Sequence, residues 1–252
     1  MTAQTSQVSP RHFQGLPPDT PTVPTVHFRK TQLVAAQVAK DGGIAAFTGP
    51  AGLGKTFAVD HAVRALGMPW GWAQMGPAPA PKEVTVRLLK ALTGNTPKGT
   101  QYELTDELVD ALVDEPHVVV IDDAQGLNKR GLEQVRYLHD LGRGAFPLFL
   151  VGGEQCADTL KSDPQLRDRV GAWVTFAPLK GAELHSALAA YHPFLARSDR
   201  ELLDEVNDVY AKGRFRRWAV FLLTSLRLAE KAGADRLTRQ IAKAALSITP
   251  PD

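Results

Sequence analysis

The chain has 252 residues, of which 44% are hydrophobic, 22% charged and 7% aromatic, a globular balance that excludes a coiled coil, a collagen-like fibre and a wholly disordered polymer. A single cysteine, Cys156, excludes an intramolecular disulfide, and no apolar run approaches the roughly 18 residues of a membrane span, so the expectation is a soluble cytoplasmic protein with no membrane contact. The near-neutral total of 29 basic and 27 acidic residues hides an asymmetry: residues 211–252 hold nine Lys or Arg against three acids, a net +6 on a body of −4. That basic end reads either as a contact for a polyanion or a charged subunit, or as a solvated helical face.

Residues 1–25 are rich in Pro, Thr and Gln and poor in charge, which predicts a flexible arm. Helical spacing starts near Thr31, through Leu33, Val34, Gln37 and Val38, and stops at Asp41-Gly42-Gly43. Ile44–Thr48 reads as a buried strand, Thr56–Leu66 as a helix ended by Gly67, and Trp70–Gln74 as a second strand before the Pro-rich turn Gly76–Pro81. A helix over Glu83–Leu92 follows. Thr100 and Glu103 form a capping box for the next, which runs through Val113. His117–Ile121 is a β-branched run suited to a central strand, Leu132–Leu141 is helical, and Pro147–Val151 is a further strand. Strands alternating with helices imply a parallel sheet flanked by helices. After about Leu179 the strand signals stop, and Glu183–Leu195, Ser198–Tyr210, Phe215–Glu230 and Asp235–Ser247 all read as helices, with Ser198 and Glu201 as a start signal. The expected division is an arm over 1–25, an α/β domain over 26–179 and a small all-helical lid domain over 180–252.

The strongest motif is Gly49-Pro50-Ala51-Gly52-Leu53-Gly54-Lys55-Thr56, which satisfies G-x-x-x-x-G-K-[ST] between a predicted strand and a predicted helix. Phosphates need many donors at short range. Glycines let backbone N–H groups converge on them, the helix N-terminus adds partial positive charge, Lys55 reaches the β- and γ-phosphates and the Thr56 hydroxyl ligates Mg²⁺. The run Val118-Val119-Val120-Ile121-Asp122-Asp123 puts acids at the end of a buried strand beside that loop. Asp122 is the expected Mg²⁺ partner. Asp123 reads either as the general base that polarises the attacking water or as a cap for the next turn. Beyond the strand that ends at Val151, Glu154 and Gln155 either sense the γ-phosphate or start the next helix. In Leu166-Arg167-Asp168-Arg169-Val170 an arginine either reaches a neighbouring subunit's nucleotide or forms a surface ion pair. Gly213-Arg214-Phe215-Arg216-Arg217-Trp218 opens a helix with arginines that either contact the phosphates or form a basic helix start. The seven histidines show no metal-ligand spacing, and core packing is the default for the four tryptophans.

On these motifs the chain resembles the P-loop AAA+ ATPases over roughly residues 26–249. GPAGLGKT looks like their Walker A, VVVIDD their Walker B, LRDRV their arginine-finger segment and GRFRRWAVFLL their sensor-2 helix. Within that superfamily it looks most like the transposon regulators of the TniB, TnsC and MuB type, a branch shared with ExeA-like secretion ATPases. The resemblance implies an ATPase that uses ATP and Mg²⁺, assembles as a homo-oligomeric ring or filament on duplex DNA, and recruits a transposase. It also implies nucleotide contacts from Gly49 through Thr56, from Phe57 and from the sensor-2 Arg216. Catalytic roles fall to Lys55 and Asp123, metal binding to Thr56 and Asp122, and the trans finger to Arg169 first and Arg167 second. DNA contacts are expected between the second strand and Walker B, where Lys82 and Lys98 stand out beside Arg87 and Lys90; gripping a backbone needs only positive charge and N–H donors. A protein partner without DNA, as in secretion or helicase loading, is the alternative. The sequence departs from the family at Asp123, one methylene shorter than the usual glutamate, at Gly153, where a polar sensor is usual, and in having no N-terminal helix-turn-helix of the MuB kind.

Overall fold

The structure, a computed structural model, describes residues 20–249. The arm expected over 1–25 therefore lies outside the described residues up to position 19, and residues 20–25 carry no helix or strand. Two compact units emerge, one from residues 30–49 and 55–176 and the other from 20–29, 50–54 and 177–249.

Five parallel strands form the sheet of the first unit: β1 (Ile44–Thr48), β2 (Trp70–Gln74), β3 (Val118–Asp122), β4 (Leu148–Val151) and β5 (Val170–Thr175), in the order β2-β3-β4-β1-β5. β1 and β4 are buried along their whole length, and β3 is buried up to its last residue, Asp122. Near-continuous apolar runs of this kind belong in a sheet covered on both faces. The flanking helices are α1 (Val26–Asp41), α2 (Lys55–Ala65), α3 (Pro81–Thr93), α4 (Gln101–Asp114), α5 (Lys129–Leu141), α6 (Cys156–Lys161) and α7 (Pro164–Arg167). The Thr100–Glu103 capping box is formed on both sides. α1 begins at Val26, earlier than expected, and buries Thr31, Ala35 and Val38 while Leu33 faces solvent.

The fifth strand has no counterpart among the expected elements. It is an edge strand, its burial does not alternate, and Gly171 is a bulge because Ile44 pairs with Val170 while Ala45 pairs with Ala172. The charged run 167–169 immediately before it masked what strand signal remained.

The second unit is helical: α8 (Gly181–Tyr191), α9 (Pro193–Ala196), α10 (Arg200–Val206), α11 (Phe215–Ala232) and α12 (Arg239–Ile248). The single helix expected over Glu183–Leu195 breaks at His192, because Pro193 lacks an N–H and disfavours the helical conformation of the residue before it. The start signal also shifts. Asp199 caps α10 by accepting from Glu201 and Leu202 N–H, while Ser198 Oγ donates to Phe194 O and accepts from Leu237 N–H. The helix expected over Asp235–Ser247 begins only at Arg239, capped by Thr238.

Between α10 and α11 the chain makes a π-helical turn, Asn207–Ala211. The buried Asn207 carboxamide oxygen accepts from Gly213 N–H at 2.7 Å and from the Trp218 indole at 3.4 Å, pinning the start of α11. Trp218 and Phe221 then centre the apolar cluster of this unit with Leu188, Leu195, Val206 and Leu222. Replacing Asn207 with Leu leaves two buried donors unmatched and is expected to cost about 2–4 kcal/mol, read as a lower melting temperature by calorimetry.

Candidate nucleotide site

The first unit gathers the C-terminal ends of β1, β3 and β4. β4 lies between the other two, with Phe47 of β1 opposite Val151 and Ile121 of β3 opposite Leu150. The chain leaves β1 at Gly49 and re-enters regular structure at Lys55, the first residue of α2. Lys55 is only 8% exposed, and its ammonium donates to Gly49 O at 2.8 Å, across the base of the loop. Thr56 Oγ1 donates to Asp122 Oδ2 at 3.4 Å, so the expected metal pair meets in space. These are hard oxygen donors of the kind Mg²⁺ takes, usually with retained waters.

Asp122 is crowded by donors. Asp123 N–H donates to its Oδ1 at 2.9 Å, and the side chains of Trp72 and Thr56 also hydrogen-bond it. Burial nevertheless dominates and raises its carboxyl above the ordinary aspartate value, with the neighbouring Asp123 charge adding to the rise. Trp72 is thus a site residue, whereas core packing was the default for the tryptophans. Among the others, Trp218 does fill a core, Trp70 carries the Arg64 guanidinium over its ring at 5.0 Å, and Trp173 carries the Lys161 ammonium at 5.4 Å.

Asp123 adopts a left-handed backbone, φ 54°, which turns its carboxylate out of the strand line. It does not cap the following 3-10 turn, Ala124–Gly126, with its side chain. Instead Gln74 Nε2 donates to its Oδ2 at 2.7 Å and Gln125 Nε2 to its Oδ1 at 3.0 Å. Neither glutamine was expected from sequence. Gln74 ends the edge strand β2, and its carbonyl is held by Arg87 Nη1 at 2.9 Å, an arginine also paired with Glu83. The adjacency of Gln125 to the Asp122-Asp123 pair was the available signal; Gln74 gave none, because its partner lies across a strand pairing.

Of the two readings of Glu154 and Gln155, the structure supports the helix start: both are exposed in the turn before α6, and Gln155 O accepts from Thr159 N–H. Cys156 is fully buried beneath this rim, and burial pushes its thiol up to about 12. Arg167 pairs with Asp168 at 2.8 Å. Arg169 pairs with Asp140 at 2.6 Å and donates to Gln165 O, so within one chain both finger candidates form surface ion pairs. Lys82 and Lys98 are exposed, the first at the start of α3 and the second in the loop to α4. Lys82 acts electrostatically on Glu103 at the start of α4. Phe57 stacks at a tilt on His61 with ring centroids 4.5 Å apart.

In the second unit, the loop apex 50–54 meets the start of α11. Gly52 and Gly54 have φ of 81° and 87°, left-handed values that a side chain resists. Arg216 N–H donates to Gly52 O at 3.1 Å, and a Cβ on Gly52 would stand 3.2 Å from Arg216 Cβ. The expected sensor arginine and the apex therefore touch, with the Arg216 side chain exposed. Much of the remaining basic excess is solvated or locally paired: Arg239 pairs with Glu205 at 2.9 Å and Arg217 lies over Tyr210.

Residues 38–160 match the family described as AAA domain. The chain is similar in structure to Cdc6p from Pyrobaculum aerophilum, with 18% identity, 92% of this chain and 69% of that one covered, and a TM-score of 0.71. It is similar to the Aeropyrum pernix ORC1 protein, solved in complex with DNA, at 17% identity over 92% and 67% of the two chains with a TM-score of 0.67. The Thermotoga maritima RuvB Holliday junction branch migration motor matches at 17% identity over 88% and 68%, with a TM-score of 0.59. No curated protein matches the sequence. The fold is that of the P-loop AAA+ ATPases, and among the described residues no helix is long and apolar enough to cross a membrane.

Two outcomes test this site. Because the folded Asp122 has a raised pKa, its stabilising contribution is full below the ordinary aspartate value and is lost as pH rises. Asp122→Asn, measured without nucleotide, is therefore expected to melt higher than the natural chain at pH 7, with the gap closing as pH falls below that value. Separately, the Cys156 thiol is expected to resist iodoacetamide for hours at pH 8 and to react within minutes in denaturant, read by mass spectrometry.

Proposed function

We propose that the protein hydrolyses ATP with Mg²⁺, assembles as a homo-oligomer on duplex DNA, and regulates transposition by target selection and transposase recruitment. The observation that carries the hydrolytic part is the meeting of Lys55, Thr56, Asp122 and Asp123 at the ends of β1 and β3. In this reading the backbone N–H groups of the 49–56 loop and the Lys55 ammonium bind the phosphates, Thr56 and Asp122 hold the metal, and Asp123 orients and deprotonates the attacking water. Mg²⁺, when bound, offsets negative charge on the β- and γ-phosphates. Arg216, whose N–H donates to Gly52 O, is the sensor arginine of this reading. Arg169, and second Arg167, exchange their surface ion pairs for a neighbouring subunit's nucleotide.

DNA binding is supported by the likeness to a protein solved with DNA and to a branch migration motor, and by the exposure of Lys82 and Lys98. The transposition assignment is supported by the sequence resemblance alone. An ATPase acting on a protein partner is the outcome the test distinguishes.

ATP turnover with and without duplex DNA tests the reading, with Lys55→Ala as the blank. The expected result is turnover abolished in Lys55→Ala, nucleotide affinity weakened about 10- to 100-fold in that variant, and a wild-type rate altered by duplex DNA. The DNA effect should fall steeply with salt, since phosphate contacts release counterions. Turnover indifferent to DNA at low salt would replace the DNA reading with the protein-partner one. Absence of both nucleotide binding and turnover in the natural chain would overturn the ATPase itself.

A further inference from the structure

The end of β4 raises a chemical question. Gly152 and Gly153 offer no side chain to the site, although their backbone sits between the phosphate loop and the acids. Beside Gly152 the space is already filled. A Cβ on Gly152 would come within 2.5 Å of Gln125 Oε1 and would also collide with Cys156 Sγ. Gln125 Oε1 accepts from Gly153 N–H at 2.8 Å while its Nε2 donates to Asp123 Oδ1 at 3.0 Å. On the other side of the same residue, Gly153 O accepts from Gly49 N–H at 3.5 Å, where the phosphate loop begins.

The orientation of this carboxamide follows from chemistry. A peptide N–H can only donate, so the carboxamide oxygen must face Gly153, which leaves the nitrogen to donate to Asp123. The connection thus runs from the acid through Gln125 to the β4 end and on to the loop, within one sheet edge. Gln74 differs: it grips the other oxygen of Asp123 from an exposed position on the edge strand.

We propose that Gln125 is a positioning residue that fixes the Asp123 carboxylate relative to the β4 end and the phosphate loop, supplying from the turn after β3 the polar group that Gly152-Gly153 cannot. The proposal rests on the hydrolytic reading above. Misplacing a catalytic group by about 1 Å costs on the order of 100-fold, which sets the size of effect to look for.

Two variants of similar volume separate the two ends of the carboxamide. Gln125→Met removes both hydrogen bonds. Gln125→Glu keeps the acceptor for Gly153 N–H but sets a carboxylate against Asp123. Both are expected to lower kcat for ATP about 10- to 100-fold with KM and nucleotide affinity within about threefold of the natural chain. An independent readout needs no nucleotide: by NMR hydrogen exchange, Gly153 N–H is expected to lose protection in Gln125→Met and to keep it in Gln125→Glu. Unchanged kcat in both variants overturns the proposal. So does a loss of kcat and affinity together with a fall in melting temperature, which marks a merely structural role. The natural chain is measured in the same assay; absence of turnover there sinks the ATPase reading, whereas turnover that the variants share sinks only the role of Gln125.

Discussion

The structure depends on one topological constraint: β4 is inserted between β1 and β3 in an all-parallel sheet. Parallel strands end on the same edge, so three chain segments far apart in sequence deliver their polar ends together. Those strands are apolar and buried until their last residue, so polar chemistry is confined to the rim. There the phosphate loop leaves β1, the acids leave β3, and the Gly152-Gly153 backbone leaves β4. The register sets Phe47 of β1 opposite Val151 and Ile121 of β3 opposite the preceding residue, Leu150, so the three strands end close to one level.

The rim concentrates placements that folding alone disfavours. Lys55 is buried with its ammonium on a carbonyl, Asp122 is pushed toward its neutral form by burial, and Asp123 occupies a left-handed backbone conformation without being glycine. A buried charge costs free energy unless matched, and left-handed strain costs on the order of 1–3 kcal/mol. Costs clustered at the ends of β1 and β3 single out this rim as the candidate functional site. The surrounding donors (Trp72, Gln74 and Gln125) hold the two carboxylates in place without adding charge.

The second unit is organised differently. Its specificity comes from one buried carboxamide, Asn207, which closes a π-helical turn onto the start of α11 and so sets where Arg214, Arg216 and Arg217 begin their helix. The arginine-rich start of α11 runs against the helix dipole, which favours negative charge there. Arg216 and the loop apex meet by a backbone hydrogen bond, leaving the guanidinium exposed.

Periodicity and local chemistry determined a great deal by themselves. The exact bounds of Ile44–Thr48 and Trp70–Gln74, the Thr100 capping box, and the phosphate loop with its lysine and threonine are all short-range features, written within a few neighbouring residues. What failed was either weak in local pattern or set against local propensity: the bulged edge strand Val170–Thr175 behind a charged run, the helix broken at Pro193, and the cap that moved from Ser198 to Asp199. The company that Asp123 keeps was decided by tertiary structure alone. Gln74 lies across a strand pairing and Gly153 at the end of another strand, and their convergence depends on sheet order, which no local window contains. Local sequence specifies which groups the chain carries to its strand ends; the order of the strands decides which of those groups meet.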